Sequence, residues 1–196
     1  MSHNKSNHNK KQQANQLRII GGLWRGRKLS FPSLNGLRPT PDRVRETLFN
    51  WLSTDVADAY CLDLFAGSGA LGLEALSRGA SHVDFVDNTR EAIAFLQQNL
   101  KTLNTHKAGV HLASANTWLQ SNHQSYDIIF LDAPFGQSLN DECITIIASG
   151  HIKAGGYVYL ETGINDPMPK IPTNWLLHRE KTAGQVCFRL FKIYAG

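Results

Sequence analysis

Hydrophobic and polar positions along this 196-residue chain alternate in blocks that change period several times. A polar opening, Met1 to Gln16, gives way at Arg18 to an apolar and basic stretch ending at Phe31, broken by Gly21-Gly22 and Gly26, which reads as a small β-hairpin or ribbon. Pro32 to Gly36 follows as a turn. Thr40 can cap a helix and Pro41 fits its first position, while Val44, Leu48, Trp51 and Leu52 form an apolar stripe through Ser53. From Cys61 onward short apolar runs alternate with helical segments. The runs are Cys61 to Phe65, Val83 to Val86, Val110 to Leu112, Ile128 to Leu131 and Tyr157 to Leu160. Between them, Ala70 to Ser77 reads as a helix stopping near Gly79, Asn88 with Glu91 forms a capping box for a helix carrying Ile93, Leu96, Leu100 and Leu103, and a further helix covers Asp141 to Ser149. Trp175 to Glu180 and Val186 to Tyr194 flank Thr182-Ala183-Gly184 as an antiparallel hairpin.

Alternating strands and helices predict an α/β fold, a mostly parallel Rossmann-like sheet covered on both faces and finished by the antiparallel pair. Three parts are expected: a basic disordered tail over 1–17, an N-terminal extension and helix over 18–53, and the sheet domain over 54–196. A chain of this length buries one substantial core. No apolar run approaches the roughly 18 residues of a membrane-spanning helix, and the polar N-terminus does not resemble a signal peptide, so a cytoplasmic location is expected. Cys61, Cys143 and Cys187 stand singly among apolar neighbours and the eight histidines show no ligand spacing, so no metal site is expected.

Charge is unevenly spread. Residues 1–50 hold ten Lys or Arg against two acids, a balance of +8, whereas the remaining 146 residues hold ten basic and fourteen acidic groups, −4. Arg25, Arg27, Lys28, Arg38, Arg43 and Arg45 are interleaved with apolar residues that can fold and fix them in place, which suits contact with RNA phosphates. Arg43 and Arg45 are expected to face outward from their helix.

The candidate chemistry lies where strands end. Leu62-Asp63-Leu64-Phe65-Ala66-Gly67-Ser68-Gly69 runs from a strand into a small-residue turn and then a helix whose first N–H groups are free. Asp87, 24 residues beyond Asp63, closes the next strand and can accept both hydroxyls of a ribose. The spacing Gly67-x-Gly69-x-x-Gly72 fits a dinucleotide and S-adenosylmethionine alike. Asp132-Ala133-Pro134-Phe135, at the carboxyl end of a buried strand, favours the latter: a carboxylate, an extended carbonyl and an aromatic ring suit a planar base carrying an exocyclic amine.

Arg18 to Leu29, Leu37 to Leu52, the Asp63 glycine turn, Asp132 to Phe135 and Leu177 to Val186 together resemble the bacterial small-subunit ribosomal RNA guanine-N2 methyltransferases of the D type. The resemblance runs from about Arg18 to the C-terminus. It implies a class I methyltransferase that moves a methyl group from S-adenosylmethionine to N2 of guanine 966 of 16S rRNA, with the assembling 30S subunit as partner and the protein acting as a monomer. It further implies that Asp132 and the Ala133 carbonyl accept the target amine's hydrogens, with Pro134 shaping the loop and Phe135 stacking on the guanine. Asp63 and the backbone of Gly67, Ser68 and Gly69 are expected to face the cofactor's methionine portion, Asp87 to hold its ribose, and Ser114 and Ala115 to lie near its adenine, with Phe65 and Asn88 also counted among the cofactor-binding residues. The family tetrapeptide usually reads Asp-Pro-Pro-Phe, so Ala133 frees one φ angle while leaving its carbonyl in place. A helix N-cap explains Ser114 equally well. Two other readings use the same residues: an N6-adenine or other amine methyltransferase acting on RNA or DNA, and a non-catalytic RNA-binding assembly factor.

Overall fold

Seven strands lie side by side in the order Ala108–Leu112, His82–Asp87, Tyr60–Asp63, Tyr126–Leu131, Ile152–Gly163, Val186–Ile193 and Trp175–Ala183, parallel through the fifth and antiparallel at the last two pairs. The computed structural model describes residues 15–31, 40–134 and 139–196. Its strands are β1 (Asn15–Arg18), β2 (Lys28–Phe31), β3 (Tyr60–Asp63), β4 (His82–Asp87), β5 (Ala108–Leu112), β6 (Tyr126–Leu131), β7 (Ile152–Gly163), β8 (Trp175–Ala183) and β9 (Val186–Ile193). The helices are α1 (Asp42–Trp51), α2 (Ala70–Ser77), α3 (Arg90–Thr102), α4 (Ala115–Ser121) and α5 (Leu139–Ile146), the last running into a π-helical turn, Ile147–His151. The doubly covered parallel sheet is the α/β architecture that the sequence predicts.

Side chains alternate across each strand, and so divide the core into two layers. Cys61, Ile128, Phe130, Tyr157 and Tyr159 face one layer, shared with Leu48 and Phe49 of α1, Leu73 of α2 and Leu96 of α3. Leu62, Ile129, Leu131, Val158 and Leu160 face the other, with Leu119 of α4 and Ile144 of α5. The sheet grows outward from β3 through β4 to β5, then returns to place β6 on the other side of β3. That reversal opens a crevice at the carboxyl ends of β3 and β6, where ligands of such sheets bind.

The basic N-terminal stretch packs onto this core. β1 and β2 form an antiparallel ribbon with Leu17 opposite Leu29, and Leu17, Ile19, Trp24, Leu29 and Phe31 all join the α1–α3 layer. The ribbon begins at Asn15, so residues 15–17 of the expected tail are strand, because Leu17 supplies an inward apolar position; residues 1–14 lie outside the described residues. Glu74, fully buried in α2, accepts the N–H groups of Ile20 (2.9 Å) and Gly21 (2.8 Å), while Ser77 Oγ accepts from Trp24 N at 2.9 Å and donates to the Gly21 carbonyl at 2.6 Å. A Cβ on Gly22, which has φ +73°, would lie 1.8 Å from the Ser77 carbonyl oxygen, so the approach requires glycine.

Three local expectations are corrected. Pro41, not Thr40, occupies the N-cap of α1, because Thr40 turns its hydroxyl elsewhere. The Asn88–Glu91 box does not form: Thr89 is the N-cap of α3, and its N–H goes to Asp87 Oδ1 at 2.7 Å. The helix α4, absent from the strand-and-helix reading, starts at Ser114, whose hydroxyl caps it.

Candidate active site

Asp63 ends β3, and the chain turns through Phe65, Ala66, Gly67, Ser68 and Gly69 into α2. Gly67 (φ +50°) and Gly69 (φ +77°) take left-handed conformations, and a Cβ on Gly69 would come within 2.4 Å of Leu96 Cδ2. The third glycine of the spacing, Gly72, lies where a Cβ would meet the Phe85 ring at 2.2 Å, so it lets α2 pack closely on β4. Its N–H donates to Asp63 Oδ2 at 2.9 Å. Burial pushes the Asp63 carboxyl up to about 7; the Gly72 N–H pulls it down and Asp87 adds to the rise.

Asp87 is anchored between the turn and α3: Oδ2 accepts the Gly67 N–H at 2.8 Å and Oδ1 the Thr89 N–H at 2.7 Å. A carboxylate oxygen has two lone pairs, so each keeps acceptor capacity for a ligand. Neighbouring Asn88 is exposed. The β5–α4 turn comes alongside through the bond from Ala113 N to the Asp87 carbonyl, 3.0 Å, which brings Ser114 and buried Ala115 to this end of the sheet. Ser114 accepts from Thr117 N at 3.2 Å and contacts Thr117 Oγ1 at 2.7 Å, so its hydroxyl is engaged as the cap.

Asp132 follows β6 directly. Thr40, from the stretch before α1, donates to Asp132 Oδ2 at 3.2 Å. Ala133 is buried and Pro134 exposed, while Phe135 lies outside the described residues. Desolvation and then Glu161 raise the Asp132 carboxyl well above the ordinary range; the Thr40 hydroxyl works against the rise and Asp63 with it. Glu161 is a residue that sequence reasoning missed. It stands one position beyond the Leu131–Leu160 register pair, as Asp132 does on β6, and it is buried. Tyr159 Oη donates to Glu161 Oε2 at 2.6 Å, and desolvation raises the Glu161 carboxyl too. The signal was there: an acid directly after an apolar run, the pattern of Asp87 and Asp132.

Strand alternation puts Asp63, Asp132 and Glu161 on the same side of three adjacent strands. Among the described residues no ion pair engages any of the three. Such a wall suits a ligand that is cationic and rich in hydrogen-bond donors. The bare backbone at Gly67 to Gly69 and the two-lone-pair acceptor at Asp87 complete a cradle for a nucleoside bearing a charged tail, and S-adenosylmethionine, with its sulfonium and ammonium groups, fits that donor set.

The expected RNA-contacting residues divide. Arg25, Arg27, Lys28 and Arg43 are exposed, Arg27 also donating to the Thr102 carbonyl at 3.1 Å. Arg38 lies outside the described residues. Arg45 does not face outward; it is fully buried, which removes it from the surface set. Its guanidinium donates to the Thr40 carbonyl (3.2 Å), the Arg18 carbonyl (3.0 Å) and Asp42 Oδ1 (2.6 Å), and lies 3.5 Å from Glu74 Oε2. It thus fixes the stretch that delivers Thr40 to Asp132.

Sheet order, glycine cradle and strand-end acids together define a class I methyltransferase, whose cofactor is S-adenosylmethionine. The chain matches the family described as "Conserved hypothetical protein 95" over residues 17–192 and belongs to it. It is 48% identical over 178 residues to the "Ribosomal RNA small subunit methyltransferase D" of Escherichia coli (strain K12), covering 90% of each chain. The protein of the same name from Haemophilus influenzae is 43% identical over 182 residues, 90% of this chain and 94% of that one. The solved structure of yhhF from Escherichia coli superposes with a TM-score of 0.87 at 44% identity, over 93% of this chain and 100% of that one. No described helix is long and apolar enough to cross a membrane.

Proposed function

We propose that this protein transfers a methyl group from S-adenosylmethionine to the exocyclic N2 amine of guanine 966 of 16S rRNA in the assembling 30S subunit, acting as a monomer in the cytoplasm. The observation that carries the reading is the pair of acceptors at the carboxyl end of β6, Asp132 and the Ala133 carbonyl, beside the Asp63 and Asp87 cradle. The names of the 48% and 43% identical relatives support the choice of a small-subunit rRNA substrate.

The cofactor supplies an electrophilic methyl group on a sulfonium. Asp63, Phe65, Gly67, Ser68 and Gly69 hold its methionine portion, Asp87 and Asn88 its ribose, and Ser114 and Ala115 its adenine edge. The chemical obstacle is the acceptor, because the lone pair of a guanine amine is delocalised into the ring. Hydrogen bonds from that amine to Asp132 and to the Ala133 carbonyl localise the lone pair, aim it at the methyl group and stabilise the charge that develops on nitrogen. Holding amine and methyl in line accounts for much of the acceleration, since no covalent enzyme intermediate is needed. As nitrogen gains the methyl group it becomes acidic, and Asp132, whose surroundings raise its proton affinity, accepts the proton. Thr40 keeps the carboxylate oriented. Pro134 holds residue 133 extended so that its carbonyl points at the amine. Phe135 stacks on the base once it has left its neighbours, and Arg25, Arg27, Lys28, Arg38 and Arg43 grip the phosphates around it.

The test is transfer of labelled methyl to unmodified 30S particles, beside naked 16S rRNA and duplex DNA, followed by nucleoside analysis. Label confined to N2-methylguanosine in the particle is expected, with loss of about a hundredfold to a thousandfold in Asp132→Ala at unchanged RNA binding. Label in N6-methyladenosine, or transfer undiminished in Asp132→Ala, overturns the reading.

A further inference from the structure

Asp132 and the Ala133 carbonyl accept an exocyclic amine, and both guanine and adenine carry one. What differs is the neighbouring ring position. Beside its N2 amine guanine offers the N1–H donor, whereas beside its N6 amine adenine offers the bare N1 acceptor. A site that methylates guanine alone needs a further acceptor next to Asp132, and β7 supplies one.

We infer that Glu161 is a specificity-determining residue, which accepts the N1–H of the target guanine and repels the N1 lone pair of an adenine. The inference rests on the guanine-N2 reading above. Four observations carry it. Glu161 follows the Leu131–Leu160 register pair on β7 as Asp132 follows it on β6, so the two carboxyls are neighbours across adjacent parallel strands. Strand alternation turns Glu161 to the side of Tyr159, the side that Asp63 and Asp132 share. It is only 5% exposed, and the hydrogen bond from Tyr159 Oη to Oε2 orients it from below. Finally, no cationic partner among the described residues justifies its burial. Arg189, opposite Leu160 on β9, is committed to Glu180 and to the hydroxyl of Thr162. A buried acid beside a second acid, with no compensating cation among the described residues, is costly to the fold and becomes explicable when a donor-bearing ligand completes it. The N1–H is such a donor.

The test compares guanosine with 2-aminopurine at the target position of a ligated 16S rRNA assembled into particles. 2-Aminopurine keeps the 2-amine but presents N1 as an acceptor. For the parent protein we expect kcat/KM to favour guanine about a hundredfold, because an unpaired acceptor opposite an acceptor is strongly rejected. Glu161→Gln keeps shape and volume, and its amide can rotate to donate to N1. It is expected to bring the preference within about tenfold. An unchanged preference in Glu161→Gln overturns the role of Glu161 and leaves the guanine reading intact. Transfer by the parent to neither base overturns the guanine reading and this inference with it. Should Glu161→Gln lose cofactor binding, Tyr159→Phe decides the matter: it leaves the carboxylate but frees it, so a preference at least threefold smaller with a raised KM supports the role, and an unaltered preference overturns it.

Discussion

Glu74→Gln removes one charge and no volume, yet it should cost as much as truncating a large core side chain. Glu74 is fully buried and its two oxygens meet four donors: Ile20 N at 2.9 Å, Gly21 N at 2.8 Å, Arg78 Nε at 2.8 Å and Arg45 Nη1 at 3.5 Å. A glutamine has one acceptor oxygen, which can serve two of these, and its amide group turns two hydrogens toward the other two. Each buried donor left unpaired costs about 1–3 kcal/mol. The Arg45 guanidinium, also fully buried, keeps only Asp42 as a charge partner. Stranding part of a buried ion network costs about 3–5 kcal/mol, which the lost Ile20 hydrogen bond and the amide hydrogens turned toward the Arg45 guanidinium account for. A loss of about 3–5 kcal/mol is therefore expected in urea unfolding followed by circular dichroism, read from the midpoint at constant slope. Because Glu74 ties the ribbon to α2, the earliest loss should be local, as faster hydrogen exchange at Ile20 and Gly21 and increased exposure of Trp24. A change below about 1 kcal/mol, with those two amides still protected, would refute the argument that this carboxylate organises the N-terminal segment.

Three further outcomes follow from charge. A carboxyl raised to about 7 in the fold, from 3.8 when free, holds its proton longer folded than unfolded, so Asp63 makes the ligand-free protein lose stability as pH rises from about 4 to about 7, with no further change above. Cofactor binding runs the other way, since a cation prefers the ionised acid. Calorimetric affinity should strengthen between pH 6 and 8, and a slope that survives in Asp63→Asn would exclude Asp63 as its source. Replacing exposed Arg25 and Lys28 together by alanine should weaken RNA binding evenly across sequences and reduce the slope of log affinity against log salt by about 2; an unaltered slope in a filter-binding series would remove both from the interface.

The acids at strand ends were legible from their neighbours: Asp87 and Asp132 close apolar runs, Asp63 sits within the run that leads into the glycine turn, and the sheet topology converts these positions into a shared rim. Glu161 obeys the same rule, but β7 continues through it to Gly163 and neither a glycine-rich cradle nor a proline tetrapeptide adjoins it, so it read as part of the strand. Arg45 was misread for a different reason. Arg45, Leu48, Phe49 and Leu52 recur at helical spacing on one face, which puts the arginine on the buried stripe, but the composition of the segment argued for phosphate contact. Only the carboxylate that makes burial tolerable, Glu74, decides between the two, and it is 29 residues away in sequence on another helix. Thr40 was drawn to the cap by local chemistry, whereas its distant partner Asp132 lies 92 residues further on.

The ribbon's attachments impose an order on synthesis. Arg27 bonds to Thr102, 75 residues later, the Ser30 carbonyl accepts from Asn99, 69 residues later, and Ile20 waits 54 residues for Glu74. At about 5–20 residues per second the basic segment emerges from a translating ribosome roughly 4–15 s before the last of these partners is made. For that interval Leu17, Trp24, Leu29 and Phe31 have no core to enter, while the arginines among them are already free to meet RNA. The basic segment thus waits for partners made after it, and spends that interval beside the kind of polymer its charges suit.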